Sequence, residues 1–140
     1  MTELLWETAV LIDALQARPM GDLPEGVTGI SIDTRSLESG EAFFAIRGER
    51  FDGHDFLSTA QRAGAGIAVV AEQKLPALGR VQIPMLVVDD VLKALSRLAE
   101  AARARSKAKI VAVTGSVGKT TTKEALRHGL AAVGSVHASA

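Results

Sequence analysis

The spacing of apolar positions changes along this chain, and each change predicts a different element. Val10, Leu11 and Leu15 recur at near-helical spacing behind Thr8, a suitable N-cap, and Pro19 and Gly21 lie past the end, so a short helix is expected there. From Val27 to Asp33 the period shortens, with Val27, Ile30 and Ile32 alternating with small or polar residues. Glu41 to Ile46, after Gly40, is a compact apolar run. Both stretches read as strands. Ser58 to Ala63 suits a short helix closed by Gly64 and Gly66, and Ile67 to Ala71 is the mostly β-branched run of a buried strand. The first half is therefore mixed α/β.

Pro76, Gly79 and Pro84 punctuate the chain and predict a boundary, with one domain over 1–83 and a second beginning at 84 and running to 140. Met85 to Val88 reads as a strand. Asp89 or Asp90 can cap a following helix whose Leu92, Leu95, Leu98, Ala99 and Ala102 share one face, with Lys93, Arg97, Glu100, Arg103 and Arg105 mostly elsewhere. Lys109 to Val113 then reads as a buried strand, Thr114 to Lys119 as a glycine-containing loop, Thr120 to about Ala132 as a helix, and Val136 as the start of another strand. Strand, loop, helix and strand in that order open a parallel α/β sheet. The expected fold class is α/β, a small mixed domain followed by the start of a parallel-sheet domain.

Composition narrows the function classes. Hydrophobic residues at 47% and charged residues at 23% of 140 describe a folded soluble chain. Sixteen basic and sixteen acidic residues cancel, so no overall field favours nucleic acid or an anionic membrane, and any anion site must be local. Arg103, Arg105, Lys107 and Lys109 form a basic run without interleaved aromatics, better explained as a solvated helix end matched to its dipole. The absence of cysteine and the scatter of three histidines argue against a structural metal. Glu3 near the N-terminus and the lack of any long apolar run argue against a targeting segment or membrane insertion, so the cytoplasm is the expected location.

One stretch carries specific chemistry. Thr114-Gly115-Ser116-Val117-Gly118-Lys119-Thr120 follows an expected strand and opens an expected helix, the context of a phosphate-binding loop. Gly115 and Gly118 allow a sharp turn that aims amide N–H groups and a helix N-terminus at phosphate oxygens. Lys119 would neutralise the β and γ phosphates, and the Thr120 hydroxyl is placed to ligate Mg2+, with Thr121 and Thr122 in support. The implied cofactor is Mg-ATP or a relative. Val113 stands where the general G-x-x-x-x-G-K-[ST] form has glycine, and an ordinary strand-to-helix turn with a solvated lysine is the competing reading.

The loop resembles the T-G-[ST]-x-G-K-T form of the Mur ligases of peptidoglycan synthesis, in which the valine is unremarkable. Ser31-Ile32-Asp33-Thr34-Arg35 and the stretch from Ser39 through Phe56, continuing from Ala60 to Val70, add an independent resemblance to the UDP-binding N-terminal domain of the two late ligases. Asp33-Thr34-Arg35, Gly48 to His54 and Lys123-Glu124 look more like the members that add D-alanyl-D-alanine than those that add the third amino acid. The resemblance implies UDP-N-acetylmuramoyl-tripeptide and D-alanyl-D-alanine as substrates, ATP and Mg2+ as cofactors, an acyl phosphate made at the tripeptide carboxylate, and a monomer when complete. It also implies three domains, with later carboxylate and histidine groups outside these residues, so ligation by this chain alone is not expected. A stand-alone nucleotide-binding module and an unrelated P-loop kinase or NTPase are the alternatives of other classes.

Carried onto matching positions, the resemblance makes Thr34, Arg35, Gly48, Glu49, Arg50 and Phe51 the uridine diphosphate site, with His54 as a further candidate and Lys119 as the catalytic cation. The chemistry fits: a hydroxyl for a base or ribose edge, guanidinium groups for the diphosphate, and an apolar ring beside the base. Each also has a bland reading. Arg35 can pair with Asp33 or Glu38, Phe51 can be core, and Asp52-Gly53-His54 suits a turn in which His54 fixes a backbone carbonyl. Phe43, Phe44, Phe56 and Trp6 read as packing residues.

Overall fold

The structure is a computed structural model that describes residues 2–139. It contains two compact units, one ending at Ser106 and the other beginning at Lys107. In chain order the first holds β1 (Trp6–Glu7), α1 (Thr8–Leu15), β2 (Arg18–Met20), β3 (Gly26–Val27), β4 (Ile30–Ser31), β5 (Ala42–Phe44), α2 (Leu57–Arg62), β6 (Ile67–Ala71), β7 (Met85–Val88) and α3 (Val91–Arg105). A 3-10 turn, Gly53–Phe56, leads into α2, and another, Glu72–Ala77, follows β6.

Strands β4, β5, β6 and β7 are mutually parallel neighbours, and β2 closes the far edge antiparallel to β7. Because strand side chains alternate between faces, consecutive residues enter different cores. Phe44, Ile67, Val69, Leu86 and Val88 face a layer containing Leu11, Leu15, Val91, Ala94 and Leu98 of α1 and α3. Phe43, Ala68, Val70, Met85 and Val87 face the opposite way, onto Leu57 and Ala60 of α2. The near-continuous apolar runs in β6 and β7 are the expected consequence of burial on both faces.

The α/β class is as the sequence predicts, and β6 and β7 form over the expected residues. Several details differ. Val27 to Asp33 is not one strand: β3 pairs with β1, and the chain then moves to a different sheet, where β4 pairs with β5. Ile32 lies beyond β4 and is exposed. Thr8 is the first helical residue rather than the cap. It is buried and its hydroxyl donates to the Pro24 carbonyl at 2.6 Å. Asp90, not Asp89, caps α3, accepting from the Lys93 amide at 2.9 Å. That phase buries Val91, Ala94 and Leu98 and leaves Leu92 and Ala99 outside.

The boundary expected at 83/84 falls inside the first unit, because β7 is hydrogen-bonded alongside β6 and α3 packs on the same sheet. In the second unit, α4 (Lys119–Ala131) forms one residue early, while Lys109 to Val113 and Val136 form no strand. Ile110 and Val111 are exposed. A strand exists only through a partner, and none is present in this unit among the described residues.

Candidate functional site

Parallel pairing sets where the first unit can bind a ligand. Ile30 pairs with Ala42 and Ser31 with Phe43, so β4 and β5 end side by side and their following loops leave the same sheet edge. Ligand sites in open α/β sheets gather at such carboxyl edges. The first loop is an Asx turn. The Asp33 carboxylate accepts from the Arg35 amide at 2.9 Å and meets its guanidinium at 2.6 Å. These bonds from Arg35 hold the Asp33 carboxyl down at about 2. Thr34 sits half-buried between them, with no side-chain hydrogen bond among the described residues.

The second loop is a tight hairpin. Arg47 and Asp52 form an antiparallel bridge, the Gly48 amide donates to the Phe51 carbonyl at 2.9 Å, and the Gly53 amide donates to the Ile46 carbonyl at 2.9 Å. Glu49 and Arg50 are exposed at its tip. Phe51 is 70% exposed, so it is not core. Its ring meets that of Phe56 edge-on at 6.2 Å, and Phe56, itself 37% exposed, props it rather than filling the interior. Phe43, Phe44 and Trp6 are buried, as expected, and the Arg105 guanidinium lies 3.6 Å from the centre of the Trp6 ring.

His54 is a correction. It is 8% exposed and faces inward, with Nδ1 2.6 Å from the Asp52 carboxylate and Nε2 accepting the Ala71 amide at 3.0 Å. Both ring nitrogens are engaged, so it touches no ligand from this position. Its backbone partner is a donor, not the carbonyl that the turn reading suggests. An Nε2 that accepts an N–H carries no proton, which leaves the ring proton on Nδ1, donated to Asp52. Asp52 also binds the Lys74 ammonium at 2.6 Å. Burial pushes the Asp52 carboxyl up, but hydrogen bonds from Lys74 and His54 outweigh it and hold the group well below the usual carboxylate range. Asp52 and Lys74 are the residues that sequence reasoning did not select. The Asp-Gly turn signal pointed at the former, but nothing in the sequence marks Lys74 as its partner.

In the second unit, Thr114, Gly115, Ser116, Val117, Gly118, Lys119, Thr120 and Thr121 form one exposed loop and the first turn of α4. Gly115 has φ +152° and Gly118 φ +79°, conformations that favour glycine. No side chain caps α4, so its first amides are not taken by a neighbouring oxygen, and Lys119 and Thr120 make no side-chain bond among the described residues. This donor-rich turn suits a polyphosphate. No group of three or more His, Cys, Asp or Glu able to hold a metal occurs among the described residues, and no helix there is long and apolar enough to cross a membrane.

A family model described as "Mur ligase family, catalytic domain" matches residues 26–103, more than half of the chain, which therefore belongs to the Mur ligase family. The UDP-N-acetylmuramoyl-tripeptide–D-alanyl-D-alanine ligase of Synechocystis sp. is 47% identical over 79% of this chain and 24% of its own length. MurF from Acinetobacter baumannii matches with a TM-score of 0.77 at 36% identity, over 91% of this chain and 28% of that one. MurF from Thermotoga maritima, solved in complex with ADP, gives a TM-score of 0.61 at 30% identity, over 86% and 25%. The chain spans about a quarter of the length of these relatives.

Proposed function

We propose that these residues supply the nucleotide-sugar site and the ATP phosphate grip of a cytoplasmic ligase that joins D-alanyl-D-alanine to UDP-N-acetylmuramoyl-tripeptide in peptidoglycan synthesis. The observation that carries the reading is the shared carboxyl edge. Asp33-Thr34-Arg35 and the Gly48 to Phe51 hairpin leave neighbouring parallel strands together. There Thr34 offers a hydroxyl, Arg50 an exposed guanidinium, Arg35 an exposed guanidinium that is bonded to Asp33, and Phe51 an exposed ring, groups that suit a uridine diphosphate. The name of the Synechocystis relative supports the same substrate class.

ATP fits the second unit on the same chemical grounds, and the ADP complex of the Thermotoga relative supports it. The amides from Gly115 to Lys119 and the Lys119 ammonium would face the phosphates, where they offset charge as a γ phosphate passes to the tripeptide carboxylate. Thr120 would hold magnesium jointly with phosphate oxygens, and that ion would supply further charge neutralisation. With a single hydroxyl ligand here, the remaining protein groups of the reaction belong to other residues of such an enzyme.

Separate titrations with UDP and ATP test the assignment. Thr34→Ala is expected to weaken UDP about tenfold and leave ATP unchanged, and Lys119→Ala to do the reverse. UDP affinity indifferent to both Thr34→Ala and Phe51→Ala would remove the nucleotide-sugar site.

A further inference from the structure

We infer that Asp52, His54 and Lys74 are positioning residues that fix the Gly48 to Phe51 hairpin for nucleotide-sugar binding by tying its root to the carboxyl end of β6. The inference rests on the reading that this hairpin holds uridine diphosphate. The tip has little to hold it, since Gly48, Glu49, Arg50 and Phe51 are all exposed and, among the described residues, make only the Gly48 amide bond to the Phe51 carbonyl and the edge-on contact of Phe51 with Phe56. A loop left free would have to be ordered at the expense of binding. The order comes from its base instead.

The β5–β6 ladder shows why a histidine is needed. Ala45 donates to the Val69 carbonyl at 3.0 Å, and a continuing parallel ladder would next pair the Ala71 amide with a β5 carbonyl. The chain instead turns away into the hairpin, and His54 Nε2 takes the Ala71 amide at 3.0 Å. The other ring nitrogen passes the connection to Asp52 at 2.6 Å, and Asp52 returns it to Lys74 at 2.6 Å. Ala71 and Lys74 lie three residues apart at the end of β6, so the bonds close a loop that clasps the hairpin root. Gly53 permits the fit. A Cβ there would come within 2.7 Å of the Ile46 nitrogen and 2.8 Å of the Ala45 carbon. The tether therefore joins the base of the Arg50 and Phe51 tip to the center of the sheet, through side chains that the ligand does not touch.

UDP titration of the whole chain, with variants that separate the two links, provides the test. An asparagine amide nitrogen can stand where Nδ1 sits, and a glutamine oxygen where Nε2 sits, so His54→Asn keeps the Asp52 bond and His54→Gln keeps the Ala71 bond. Lys74 is 33% exposed and lies outside both cores, which makes Lys74→Met and Lys74→Arg variants that can fold. The expectation is that Lys74→Met, His54→Gln and His54→Asn, each of which breaks one link of the tether, weaken UDP about tenfold, and that Lys74→Arg restores most of the loss seen with Lys74→Met. Imidazole 15N spectra of the unmodified chain should show His54 with its proton on Nδ1. Folded Lys74→Met and His54→Gln chains that bind UDP like the parent, or a proton found on Nε2, would overturn the tether while leaving the nucleotide site intact. A parent chain with no saturable UDP binding would remove the site and the tether together.

Discussion

Asp52 carries more interactions than any other residue of the hairpin root, and its protonation sets a pH dependence of stability. Its folded carboxyl titrates below the ordinary range because Lys74 and His54 bond its charged form against the opposing effect of burial. A depressed carboxyl contributes stability that is fully present above its unfolded value, roughly pH 4, and is lost as pH falls through the lower folded value. Asp52→Asn should therefore cost about 2 kcal/mol in urea unfolding at pH 7, with the gap to the parent narrowing below about pH 4. A gap constant from pH 7 to pH 2.5 would contradict this. The two glycines nearby make a matched pair. Gly53→Ala places a Cβ against backbone and should cost about 1–3 kcal/mol, while at Gly48 the nearest atom, the Phe51 oxygen, is 3.5 Å away and alanine should be nearly neutral to thermal unfolding. At this scale the sequence yields residue type and turn chemistry. It indicated the Asp33 partner of Arg35, two positions away, but not the Ala71 partner of His54, seventeen away, because that contact is created by the register of β5 on β6.

Secondary elements were legible where one pattern had one solution. The mostly β-branched run of β6 and the short apolar run of β7 suit a doubly buried strand, and both formed over the residues their composition indicates. In α3 two stripes compete, since Leu92, Leu95, Ala99 and Ala102 repeat with the same spacing as Val91, Ala94, Leu98 and Ala101. Asp90 selects the second by starting the helix at Val91 directly behind β7. Removing that cap with Asp90→Ala should cost about 1 kcal/mol. Leu98→Ala should cost about 2–5 kcal/mol and Leu92→Ala far less, a ranking that thermal or urea unfolding reads directly. A larger cost at Leu92 than at Leu98 would mean the other stripe faces the sheet. Lys109 to Val113 fails for the opposite reason. Its apolar composition states a preference for a sheet, but pairing is a property of two segments, and composition alone supplies only one.

The two units differ in what holds them. The first has a core on each face of its sheet, whereas α4 has no buried residue, and Val117 and Val133 stand exposed around it. A helix of thirteen residues without a packed face lies near the margin of stability in water. Its amides should therefore exchange with solvent much faster than those of β5, β6 and β7, whose opening requires the loss of two cores. The proposed phosphate-binding role of Thr114 to Thr120 gives this prediction a second half. A polyphosphate bound to the amides of Gly118 and Lys119 engages the uncapped end of α4, and any ligand that binds only the ordered form stabilises it in proportion to the logarithm of its concentration over Kd. At about one hundred times Kd the expected protection is roughly a hundredfold in exchange rate. ATP should slow exchange across Lys119 to Ala131, and Lys119→Ala should abolish that slowing while the sheet amides of the first unit stay unchanged. Protection of α4 that is already as high as that of β6 without nucleotide, or that persists in Lys119→Ala, would mean that something other than phosphate capture orders this helix.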